Sequence, residues 1–167
     1  MTSDKEIKEL IELSEKGDAK ANCDLGWNYY NGNGVEQSFE LAVKFYKEAS
    51  ELGDARAQYF LAECYAYGDG VERSLEEALV WCKLSAAQGM DYARFMLREL
   101  EGVIADRDAA ELQNAEGQYR LGQYYYFGKY FDKDIDKSER FFTLAAEQGH
   151  VGAQEALEYL RQEKNKA

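Results

Sequence analysis

An internal repeat constrains this chain more than any other feature. Residues 18–53 and 54–89 align without a gap at a period of 36 residues. Self-similarity at such a period marks a stacked array of small units rather than one closed core. Ala21/Ala57, Leu25/Leu61, Tyr29/Tyr65, Gly32/Gly68, Gly34/Gly70, Val35/Val71, Ala42/Ala78 and Gly53/Gly89 are identical pairs. Residues 114–149 supply a further full copy, with Gly117, Leu121, Gly122, Tyr125, Gly128 and Gly149 in register.

Each copy predicts two helices. Ala57, Leu61 and Tyr65 are spaced four apart, which is one apolar stripe of a helix, here helix A. Gly26, Ala62 and Gly122 follow the stripe leucine and leave room for a facing helix to approach closely. A Gly-X-Gly turn comes next, where positive φ is cheap for glycine. Ser38, Ser74 and Asp134 then stand at N-cap positions of helix B, and Ser74 with Glu77 fits a capping box. The helix B stripe runs through Ala78, Trp81 or Leu79, Cys82 and Ser85, and Gly17, Gly53, Gly89 and Gly149 fall at the C′ position that ends it. Proline is absent, so the commonest helix breaker interrupts none of this.

Ala21, Leu25, Gly26, Tyr29, Gly32, Gly34, Val35, Ala42, Tyr46, Ala49 and Gly53 together resemble the Sel1-like repeat, a relative of the tetratricopeptide repeat. The resemblance covers about 12–160. It implies an all-α fold, a right-handed α/α solenoid (superhelix) of helix-turn-helix repeats, acting as a scaffold for other proteins. The expected layout is a single domain over 1–167: an N-terminal capping helix in 1–17, repeats at 18–53 and 54–89, a truncated repeat at 90–113, a fourth at 114–149, and a C-terminal capping helix in 150–167. Partial terminal repeats of this kind cover the otherwise open apolar face of an array.

Two places depart from the pattern. Segment 90–113 keeps Ala93 and Leu97 in helix A register but lacks the Gly-X-Gly turn and the first half of helix B. The expectation is a kink or notch there, with a short second helix from about Ala105 to Gln113. It is either a tolerated deletion or a reshaped groove for a partner. In the fourth copy Tyr130 and Phe131 replace the second glycine and the valine, which predicts a different turn conformation with exposed aromatics.

Composition narrows the function class. Net charge is −12, from 32 acidic and 20 basic residues. Such a chain is a poor ligand for nucleic acid or an anionic membrane, both of which need clustered Lys and Arg. The charge serves solubility or attracts a basic partner. The N-terminus lacks the apolar core of a secretory signal, no apolar run reaches membrane-spanning length, and Cys23, Cys64 and Cys82 are an odd number at scattered spacings. The expected location is the cytoplasm, and the expected source bacterial.

No catalytic, cofactor-binding or metal-binding residue is assigned. There is one histidine, His150, no C-x-x-C and no H-x-x-x-H, and the Gly-X-Gly turns lack the lysine of a phosphate loop. Acidic pairs such as Glu76 and Glu77 read as solvated helix faces, and the cysteines as small core residues. Cysteine-rich bacterial Sel1 relatives carry one disulfide per repeat; their paired positions hold Ser50 with Gln58 and Ala86 with Arg94 here, so that relationship and its activity do not carry over.

In the tetratricopeptide arrays that the pattern resembles, helix A lines the concave surface. The corresponding positions are Lys20, Cys23, Trp27, Tyr30 and Asn31 in the first copy, and Arg56, Tyr59, Glu63, Ala66 and Tyr67 in the second. The truncated copy adds Tyr92, Phe95 and Glu99, the fourth Glu116, Tyr119, Gln123, Tyr126 and Phe127, and the final helix Glu155 and Tyr159. Aromatics bury large area while keeping a polar handle, so Trp27, Tyr30, Tyr59, Tyr67, Tyr92, Phe95, Tyr119, Tyr126 and Phe127, with Gln123, are the expected partner-binding side chains. Glu63 and Glu99 join them, and with Glu116 they favour a partner segment rich in Lys or Arg. For Tyr59, Phe95 and Tyr119 the alternative is ordinary packing between neighbouring A helices. A second functional reading is self-assembly, with another copy as the partner; a hydrolase is the remotest.

Overall fold

The computed structural model describes residues 4–164, so the expected caps at 1–17 and 150–167 begin and end outside the described residues. Nine helices and no strand are present among the described residues. The chain forms two compact units, Met1–Leu100 and Glu101–Ala167.

In the first unit, α1 (Asp4–Ser14) precedes the pair α2 (Ala19–Asn31) and α3 (Phe39–Glu51), then the pair α4 (Ala55–Tyr67) and α5 (Leu75–Ala87). The helices stop and start where the sequence dictates. Asp18, Ser38, Asp54 and Ser74 each accept a hydrogen bond from the amide three residues on. Only half of the capping box at Ser74 forms in the expected sense: Oγ accepts from the Glu77 amide, while the Ser74 amide is donated to the Tyr65 carbonyl. Gly32 and Gly68 end the A helices in the left-handed conformation. Gly70 is forced as well as permitted: at φ +69° its missing Cβ would lie 2.3 Å from the Phe39 carbonyl group of the preceding repeat.

The core of this unit is the pair of stripes read from the repeat. Ala42, Tyr46 and Ala49 of α3 pack with Ala57, Leu61 and Cys64 of α4. Gly26 lets α2 approach α3, because a Cβ there would stand 2.5 Å from the Tyr46 ring. The second unit repeats the device: a Cβ at Gly122 would meet the Phe142 ring at 2.6 Å. There α7 (Ala115–Phe127), α8 (Ile135–Glu147) and α9 (Val151–Lys164) bury Phe142, Ala145, Ala153, Leu157 and Leu160 together.

Both departures turn out differently from expectation. Segment 90–113 holds no helical hairpin and no break: α6 is one continuous helix, Asp91–Glu111. The deletion removed the turn glycines and left residues of high helix propensity on both sides, so nothing stops the first helix from running on. Ala93, Met96, Leu100, Val103 and Ala110 form its buried stripe, and Gly102 is an exposed position of the same helix. The fourth copy keeps the ordinary turn. Tyr130 adopts φ +65°, matching Gly34 and Gly70, and is 2% exposed rather than projecting. Phe131 is half-buried, with its ring centroid 5.1 Å from that of Tyr125.

Candidate partner-binding site

Seven of the twelve expected partner-binding residues line two pockets, one within each unit. In the first unit Trp27 and Tyr30, near the end of α2, face Glu63 and Tyr67 of α4 across a cavity of about 230 Å3. Its wall and floor include Phe60 and the buried Tyr46. Tyr30 is held by its own neighbours: its hydroxyl donates to Asp69 at 2.7 Å in the following turn, and its ring meets Phe39 edge-on at 5.0 Å. Burial first, then the Asp69 carboxylate, pushes its phenol pKa up. Glu63 accepts a hydrogen bond from the Tyr59 hydroxyl at 2.6 Å. Its carboxyl is nevertheless held above its ordinary range, by burial and, more weakly, by the Asp69 charge.

In the second unit Gln123, Tyr126 and Phe127 of α7 line a cavity of about 340 Å3 with Tyr159 and Leu160 of α9. Phe142 and Ala156 complete it. Tyr126 is braced edge-on by Phe127 at 4.9 Å and Tyr159 at 6.5 Å, and Lys133 lies 5.8 Å over its ring. The two pockets are register equivalents, 96 positions apart: Trp27 corresponds to Gln123, Tyr30 to Tyr126, Asn31 to Phe127, Tyr46 to Phe142, Phe60 to Ala156 and Glu63 to Tyr159. A cavity therefore recurs where the ends of two successive A helices part over a helix B aromatic.

The remaining expected residues lie elsewhere. Tyr59 is half-buried, packed beside Phe60 and with Tyr92 at 6.2 Å between centroids. Tyr119 is half-buried, stacked on His150 at 4.4 Å, and its hydroxyl accepts from Gln123. Packing accounts for both. Phe95, in contrast, is 64% exposed and Tyr92 is exposed too, so burial between A helices fails for Phe95. Neither lines the two pockets, and nor does the half-buried Glu99. Glu116 is engaged with Arg120 at 2.7 Å and His150 at 3.0 Å, and those bonds hold its carboxyl below the ordinary range. Cys23 and Ala66, read as surface positions, are fully buried.

Sequence reasoning missed Tyr46, Phe60, Phe142, Ala156 and Leu160 as pocket residues. Tyr46 was visible as a helix B core position, and only the separation of the A helices above it exposes its ring to a cavity. Among the described residues no His, Cys, Asp or Glu cluster could hold a metal ion, and no helix is long and apolar enough to cross a membrane. Cys23, Cys64 and Cys82 are buried thiols, and Cys82 donates to the Ala93 carbonyl.

Comparison with known proteins agrees with the geometry. A protective antigen present in uropathogenic Escherichia coli strains, with an SLR fold, is similar at 30% identity and a TM-score of 0.55, over 92% of this chain and 36% of that one. A Sel1 repeat protein from Oxalobacter formigenes is similar at 24% identity and a TM-score of 0.57, over 92% of this chain and 66% of that one. No curated protein matches the sequence. Residues 19–54, 55–90 and 115–150, together more than half of the chain, match the Sel1 repeat. An all-α array of helix pairs with these repeats is a Sel1 repeat protein, and the chain belongs to that family.

Proposed function

We propose that this chain is a non-catalytic adaptor that holds an extended segment or helix of a protein partner through its aromatic pockets. Sel1 repeats generally mediate protein–protein interaction. The observation that carries the reading is the recurrence of one cavity, lined by Trp27, Tyr30 and Tyr67 in one unit and by Tyr126 and Phe127 in the other. Apolar concavities edged by amphipathic aromatics are where partner side chains anchor. Three buried thiols suit the reducing cytoplasm.

The test is calorimetry with a partner recovered from the native host. Trp27→Ala and Tyr126→Ala should each weaken binding by more than about 1 kcal/mol, with unchanged circular dichroism. Equal affinity for wild type and both variants would remove the pockets from the interaction.

A further inference from the structure

We infer that the pocket between α2 and α4 is a receptor for a single arginine side chain of the partner. The inference rests on the interaction reading above and assigns the chemistry of one of its two pockets. Trp27, Tyr30, Phe60 and Tyr67 give the cavity aromatic walls, and Glu63 is the one ionisable carboxylate lining it. No lysine or arginine lines it. The groups that set the acidity of Glu63 are its burial, the Tyr59 hydroxyl and the Asp69 carboxylate, with no cation among them. A carboxylate drawn out of water beside another negative charge is only partly compensated by the Tyr59 hydroxyl, and a cation entering the pocket would relieve it further. Aromatic walls attract the same cation through their π faces.

Guanidinium fits this combination better than ammonium. It is planar and weakly hydrated, stacks on aromatic rings, and forks to a carboxylate at the same time. The cavity of about 230 Å3 has room for one such side chain rather than a helix. The equivalent pocket in the second unit provides an internal contrast. Gln123 and Tyr159 stand where Trp27 and Glu63 do, and among the described residues no carboxylate lines it. The frame is shared; the charge is not.

The experiment uses the isotope-labelled full chain titrated with N-acetyl-arginine amide, its neutral isostere N-acetyl-citrulline amide, and N-acetyl-lysine amide. The indole N–H of Trp27 reports binding, and that of Trp81, which does not line the pocket, serves as the reference. Arginine amide should shift Trp27 saturably and leave Trp81 in place, with citrulline and lysine amides about tenfold weaker or more. Glu63→Gln preserves shape and the Tyr59 contact, and should lose about the same factor without a lower melting temperature. Trp27→Leu, read from the Tyr67 and Phe60 ring protons, should lose affinity through the wall alone. Equal binding of citrulline and arginine amides, or undiminished arginine binding by Glu63→Gln, overturns the assignment. A partner that needs Trp27 but tolerates Glu63→Gln would leave the adaptor standing and remove the arginine. Arginine amide that binds as expected, with a partner indifferent to Trp27→Ala, would do the reverse.

Discussion

Replacing Gly26 by alanine tests whether close helix approach, rather than backbone permissiveness, put glycine there. Gly26 is inside α2 with ordinary helical geometry, so alanine on its own merits should stabilise the helix by about 1 kcal/mol. Opposing this, the new Cβ would sit 2.5 Å and 2.6 Å from two carbons of the Tyr46 ring. Contact carbons settle at about 3.5–4.0 Å, so ring and helix must part by about 1 Å, and Tyr46 is a buried core side chain, 1% exposed. Overpacking a tight core costs about 1–3 kcal/mol. The net expectation is a loss of up to about 2 kcal/mol in urea unfolding followed by circular dichroism. The second repeat supplies the compensating change: at the equivalent positions it has Ala62 and Cys82. Tyr46→Cys alone should cost about 3–5 kcal/mol through lost burial. Combined with Gly26→Ala it should cost less than the two singles summed, with a coupling of about 1–3 kcal/mol. A Gly26→Ala protein at least as stable as wild type, or strict additivity in the cycle, would refute the argument.

Four further outcomes follow from single positions. Gln113 takes the place of the C′ glycines at φ +61° with its side chain exposed, so Gln113→Gly should stabilise by about 1 kcal/mol, seen as a higher melting temperature. Tyr130→Gly relieves about 1–2 kcal/mol of left-handed strain but deletes a buried ring worth about 3–5 kcal/mol, so it should destabilise; a gain would mean the ring contributes little. Burial pushes the thiols of Cys23 and Cys64 up to about 12, so a thiolate-seeking reagent at pH 8 should label them only after denaturant is added, and prompt labelling would contradict their packing. Glu63 binds its proton more tightly folded than unfolded, so it costs stability as pH rises from its ordinary value of 4.5 through the raised folded one. Glu63→Gln should therefore match wild type in acid and exceed it at neutral pH, and parallel pH profiles would argue against the shift.

The helix pairs were legible because every rule that fixes them is local or periodic. The N-caps at Ser38, Ser74 and Asp134 and the C′ glycines at Gly53, Gly89 and Gly149 stand where the 36-residue register puts them. Register failed where it was broken. At 90–113 the expectation followed the family's hairpin, although the sequence already carried one unbroken stripe through Ala93, Met96, Leu100 and Val103. At Tyr130 a glycine-to-tyrosine change reads as a new turn, because the sequence does not show that the obstacle to a Cβ at Gly70 is the backbone of another repeat rather than the turn itself. The surface was harder still. Trp27, Tyr30, Tyr67, Tyr126 and Phe127 follow from helical phase, but Tyr59 and Tyr119 share that phase and are occupied by packing against Phe60 and His150.

On the proposed reading, that difference is how an array like this would acquire specificity. Ala21, Leu25 and Gly26 in one copy, and Ala57, Leu61 and Ala62 in the next, hold the backbone so that consecutive A helices separate at their C-terminal ends over a helix B core residue. The cavity is thus a by-product of the repeat and returns with it. What enters is decided by a few side chains that the core does not use. At one such position the copies carry Trp27 and Gln123, and at another Glu63 and Tyr159. Exchanging them leaves the stripes untouched, so the proposed recognition should change with little effect on folding. Transplanting the charge makes this concrete: Tyr159→Glu should give the second cavity a measurable preference for arginine amide over citrulline amide. If the fold stays intact and that preference does not appear, the carboxylate alone does not define the receptor, and the Trp27 wall is required as well.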